Sequence, residues 1–160
     1  MLRLKNHKFS DVDIHKFAIN LVVFIVATAA IGCTPAFNWR DVSFDGQPVT
    51  ALLPCKPDRG VREVPLAGVP RTMTMAGCEA GGATFTVAVV RVDNSAELAQ
   101  VKAELSAVNK ATHSQYAEHG PVLVQASVYG TPSAERDGPS ALSAQAVETF
   151  FSGVRLAGKP

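Results

Sequence analysis

Residues 83–92 read ATFTVAVVRV, ten residues rich in valine and threonine around Phe85, with no proline or glycine to interrupt them. β-branched and aromatic residues favour the pleated conformation, and the run is long enough to be the centre of a sheet. Phe85, Val87 and Val90 are expected among its buried residues. Glu79-Ala80-Gly81-Gly82 precedes it as a Gly-Gly hairpin turn. Before that turn, Arg71 to Cys78 sets Met73 and Met75 on one face and Thr72 and Thr74 on the other, the period of two that marks a half-buried strand. The turn Ala67-Gly68-Val69-Pro70 separates this strand from Val61–Leu66, which belongs at an edge because Pro65 has no N–H for a ladder. Further upstream, Val49–Leu53 is a strand ended by Pro54, and KPDRGVR at residues 56–62 reads as a solvated turn.

Downstream, Asn94 and Glu97 form a capping-box pair, and Leu98, Val101, Leu105 and Val108 recur at three and four residues. That spacing predicts a helix to about Thr112 with one apolar stripe. His113–His119 reads as its polar end, closed by Gly120. Pro121–Tyr129 is another strand and 131–139 a polar loop. Ser140–Ser152 is a second helix carrying Val147, Phe150 and Phe151, capped by Gly153; an alternating strand over Ala141–Val147 competes with it. Val154-Arg155-Leu156 adds a short strand. Strands, helix, strand and closing helix in that order predict an α+β fold, an antiparallel β-sheet covered by two helices in a single domain.

Only one segment stands apart. Phe17 to Gly32 is an apolar run of 16 residues, short of the roughly 17 to 25 that span a bilayer. Arg3, Lys5, Lys8 and Lys16 precede it and small residues close it, the layout of a secretory signal peptide. The junction Ala30-Ile31-Gly32-Cys33 resembles the bacterial lipobox, with Ala30 where leucine is usual. That resemblance implies cleavage before Cys33, which becomes the acylated first residue of the mature chain, a palmitate-type lipid anchor. The expected organisation is a signal peptide over 1–32, a tether over 33–37 and the α+β domain over 38–160. Two or more acyl chains hold a protein on a bilayer stably where one does not, so the membrane is the expected partner. Thr34 in place of an aspartate resembles lipoproteins sent on to the outer membrane, facing the periplasm.

Cysteine usage agrees with an exported domain. With Cys33 acylated, Cys55 and Cys78 remain, and an even remainder in an oxidising compartment points to a disulfide. They stand 23 positions apart with no CxxC and no nearby histidine, which is not zinc spacing. Met73 and Met75 at alternating positions read as core filler rather than soft-metal ligands. Past residue 32 the chain carries 11 Lys and Arg against 12 Asp and Glu, the basic residues scattered singly. Without a basic stripe, no nucleic acid is expected as a partner.

The stretches VTALLPCKP (49–57) and ETFFSGVRL (148–156) look like the opening strand and closing helix of small exported α/β/α domains related to the PsbP family. The resemblance implies an accessory binding module and assigns no functional residue. Two function classes follow. One is an envelope lipoprotein that binds another envelope protein or component; the other is a periplasmic hydrolase or metal-dependent enzyme built on His113, Glu118, His119 and Tyr129. The chain has no GxSxG, HExxH or Gly-rich phosphate loop, so no catalytic residue, cofactor or metal ligand set is assigned.

Overall fold

The computed structural model describes residues 37–130 and 142–157; the 17–32 run, the 30–33 junction, the 131–139 loop and the start expected for the second helix lie outside the described residues. The elements are β1 Arg40–Ser43, β2 Val49–Leu53, β3 Asp58–Leu66, β4 Val69–Ala80, β5 Ala83–Arg91, a 3-10 turn Ser95–Glu97, α1 Leu98–Val108, β6 His113–His119, β7 Val122–Tyr129, α2 Ala144–Ser152 and β8 Arg155–Leu156. Five strands form one antiparallel sheet in the order β3-β4-β5-β7-β6, with β5 at its centre. A second antiparallel sheet, β1-β2-β8, was not anticipated as separate.

Alternation along β5 decides how the layers stack. Phe85, Val87 and Val89 point to one face, where they share a core with Val42, Ala51 and Leu53 of the small sheet, with Phe44 just past β1, and with Val147 and Phe150 of α2. Val90 points to the other, where Met73, Leu123 and Leu66 meet Leu98, Val101 and Leu105 of α1. The α+β domain is therefore an antiparallel sheet with a helix on each face.

Two tight hairpins set the register. Leu66 pairs with Val69 and Ala80 with Ala83, leaving two-residue loops Ala67-Gly68 and Gly81-Gly82. All four loop residues have positive φ, from 52° to 76°, the backbone whose twist matches the flanking strands. Ala67 adopts it despite its Cβ, and its N–H donates to the Glu104 carboxylate of α1 at 2.7 Å. That bond, with a second from Gln100, holds the Glu104 carboxyl below its ordinary range. A depressed folded-state value means the contribution to stability is present above the unfolded pKa, about 4.3, and is lost as pH falls through the lower folded value. Glu104→Gln should therefore melt somewhat below the wild type at pH 7, and the two curves should converge on acidification. A gap that widened in acid would contradict the assignment.

The capping pair closes the 3-10 turn Ser95–Glu97, which leads into α1. Asn94 accepts from the N–H groups of Ala96 and Glu97 at 3.0 and 3.2 Å and donates to Glu97 at 2.7 Å. The other Glu97 oxygen binds the buried Arg71 guanidinium, which clamps this turn to β4. The helix stops at Val108, short of Thr112, because Asn109 turns extended (ψ 124°) and its side chain accepts from the Ala111 N–H at 2.9 Å. Val108, the last residue of the stripe, is 73% exposed.

Two further readings are corrected. His113–His119 is not a polar helix end but the edge strand β6, paired along its length with β7. Val61–Leu66 is the expected edge strand, but it starts earlier: Asp58–Gly60, read only as a turn, already belongs to β3 and pairs with Met75 to Gly77. α2 is the helix rather than the competing strand, starting at Ala144 behind a Ser143 cap whose Oγ accepts from the Ala146 N–H at 3.1 Å. At its far end a Cβ on Gly153 would lie 2.4 Å from the Leu52 Cβ, so only glycine lets the helix end sit on β2.

Candidate functional site

The face of the large sheet that carries α1 is only partly covered by it. Its side chains run in rows across the strands. Nearest α1 are Met73, Val90 and Leu123, then Met75, Ala88 and Gln125, then Gly77, Thr86 and Ser127, and last Glu79, Thr84 and Tyr129. The first row is buried under Leu98, Val101 and Leu105. The later rows floor an open groove of about 760 Å³, walled on one side by Leu105, Val108 and Asn109 and on the other by Lys56, Asp58, Gly60 and Arg62.

Small side chains make this hollow. Gly77, Thr84, Thr86 and Ala88 stand where the opposite face of the same strands carries Ala76, Phe85, Val87 and Val89. The groove lining is more apolar than polar, and Val108 and Tyr129, two of the large hydrophobic residues most exposed among those described, both border it.

Its polar end is a closed hydrogen-bond network. The buried Ser127 hydroxyl lies 3.3 Å from the Asn109 and Gln125 amides and 3.2 Å from Ser114, and Tyr129 donates to Asn109 at 3.3 Å. These groups satisfy one another and fasten the end of α1 to β6 and β7. Two buried polar atoms without partners, Arg71 Nε and the Tyr116 hydroxyl, lie elsewhere among the described residues. Tyr116 lies near the Lys102 ammonium, 5.9 Å from its ring, and Lys102 in turn bonds Glu118 at 3.1 Å.

The four side chains of the enzyme alternative do not meet. His113 and His119 share the β6 face turned away from α1, six residues apart, or about 20 Å along an extended chain. Glu118 and Tyr129 are on the opposite face, and Glu118 pairs with Leu123 at the far end of β7 from Tyr129. Among the described residues no group of three His, Cys, Asp or Glu side chains is placed to hold a metal ion.

Cys55 and Cys78 are joined in a disulfide, with Cα atoms 5.9 Å apart. Both border the groove, so the bond fixes the wall that carries Lys56. Cys33 lies outside the described residues, and no helix among those described is long and apolar enough to cross a membrane. Sequence reasoning missed the groove. Its one advance signal is β5 itself, where Thr84, Thr86 and Ala88 alternate with Phe85, Val87 and Val89: a face of small side chains under a single short helix is not filled. No known protein family, curated protein or solved structure matches this chain.

Proposed function

We propose that this chain is a lipid-anchored lipoprotein of the bacterial cell envelope, held on the outer membrane facing the periplasm through Cys33, and that its domain is a binding module. The observation that carries the second half is the groove: a wide, largely apolar hollow on a rigid sheet, bordered by a closed polar network instead of a nucleophile and its base. The first half is supported by the Ala30-Ile31-Gly32-Cys33 junction behind a short apolar run and is compatible with a disulfide of the kind that persists in oxidising compartments. A domain that acts by holding something needs a preformed cleft more than it needs titrating side chains.

Metabolic labelling with an alkyne-bearing palmitate tests the anchor. The wild type should carry the label and sediment with membranes, and Cys33→Ser should carry none. Equal labelling of the two proteins would overturn this reading.

A further inference from the structure

We infer that β3 pairs with the β3 of a second copy of this chain, antiparallel about a two-fold axis at Val61, and so joins two large sheets into one. β3 is an edge strand of 9 residues whose pairing with β4 runs one to one, with no bulge to twist it aside. Such an edge is open to another strand. Its closing pair, Leu66 with Val69, spans a two-residue hairpin and is hydrogen-bonded. Alternation from there turns the N–H and C=O groups of Val64, Arg62 and Gly60 towards β4, and those of Glu63, Val61 and Arg59 outward. Pro65 falls on an outward position opposite Pro70, where neither residue needs an N–H. Arg59, Val61 and Glu63 are all exposed, Val61 by 66%.

These outward residues select both the partner and the register. About an axis at Val61, the two Val61 side chains meet, Arg59 faces Glu63 of the second copy, and Glu63 faces its Arg59. An apolar contact thus lies between two opposite-charge pairs, on the sheet face turned away from α1. Each opposed pair exchanges two hydrogen bonds, and the ladder ends where Pro65 meets Pro57, since neither has an N–H. Moving the axis by one residue breaks the match. Centred on Arg62, Glu63 faces Val61 and Arg59 faces Pro65; centred on Gly60, Arg59 faces Val61 and Glu63 faces Pro57. Arg59 gives one nitrogen to the Ser43 carbonyl at 2.8 Å, which steadies it and leaves its other donors free. On the α1 face, Arg62 lies across from Gly60, where no Cβ stands between it and Asp58 on the diagonal. β6, the other edge, has no such pattern, and its one fixed charge, Glu118, is held by Lys102. The axis stands perpendicular to the sheet, so both grooves open on the same side with the two β3 strands between them.

The full chain carrying Val61→Cys, extracted in a nonionic detergent and treated with a mild oxidant, should form a disulfide-linked dimer. Opposed residues at the axis lie about 5.5 Å apart at Cα, the spacing such a bond needs. The unsubstituted chain, and Gln115→Cys on β6, should form none. In the Val61→Cys background, Arg59→Glu or Glu63→Arg sets like charges opposite each other twice about the axis and should slow dimer formation about tenfold. Exchanging both residues in one chain should restore the rate. Mixing the two single variants should restore it as well, because each then meets its opposite charge in the other, an outcome that a folding defect in either chain would not produce. No dimer, a dimer indifferent to the single exchanges, cross-linking through Gln115→Cys, or a mixture no faster than its components would each overturn the inference.

Discussion

Phe150→Ala should cost about 3–5 kcal/mol, the range for truncating a buried phenylalanine. Phe150 is fully buried, packs edge-on against Phe85 with ring centroids 5.2 Å apart, and lies at the same distance from Phe151. The cost belongs in the upper part of the range because the site cannot collapse. α2 is held at its end by the approach of Gly153 to Leu52 and by the bond from the Leu52 N–H to the Gly153 carbonyl at 3.1 Å. It cannot slide inward to fill the space. On Phe85 the loss would also uncover the centre of β5. Small domains are stable by only about 5–15 kcal/mol, so the variant should unfold at a markedly lower urea concentration. A midpoint within error of the wild type would mean that α2 does not depend on this contact for its docking.

Reduction of Cys55–Cys78 should lower stability by roughly 3 kcal/mol, the chain-entropy value for a ring of this length. With ordinary unfolding entropies for a domain of this size that corresponds to about 10 °C in Tm. The bond joins the segment leaving β2, in the small sheet, to β4 in the large one. It therefore ties together two layers that otherwise meet mainly through apolar side chains, with the bond from Arg59 to the Ser43 carbonyl at 2.8 Å beside them. Cooperativity should survive, since Phe85, Val87, Leu53 and Phe150 keep their shared core without it. Calorimetry with and without reductant checks both statements. An unchanged Tm would mean that the loop is already constrained in the unfolded chain, and a broad transition would mean that the two layers come apart separately.

Where the sequence was legible, one physical signal dominated. β5 alternates, Asn94 and Glu97 bond each other, and Gly81-Gly82 supplies a backbone that takes a two-residue turn at little cost; each of these is readable locally. β6 was not, because HSQYAEH is polar on both faces. As an edge strand it has only one neighbour and little to bury, so no apolar period records its conformation. The same reasoning explains Asp58–Gly60, the start of the other edge strand. Val108 was misread for a different reason. Its spacing fits the apolar stripe, but the sheet beneath it carries Thr86 and Gly77 instead of larger residues, so the stripe outruns its partner surface. The groove needs β3, β4, β5, β7 and α1 together, and no short motif marks a hollow formed by side chains that are merely small.

The small sheet ties the beginning of the domain to its end. β8 pairs with β2, and Arg155 bonds Asp41 at 3.1 Å across 114 positions of chain. The hairpins β3–β4, β4–β5 and β6–β7 close within a few residues as the chain appears, but this layer has to wait, because long loops must be closed before their contacts return anything. For a chain made amino end first, nearly all of the domain has to appear before α2 and β8 can add their part of the cover over the Phe85 face. Until then the share of that apolar face that belongs to Val147 and Phe150 stays open to solvent. These two late elements therefore decide when the domain stops needing protection from its neighbours.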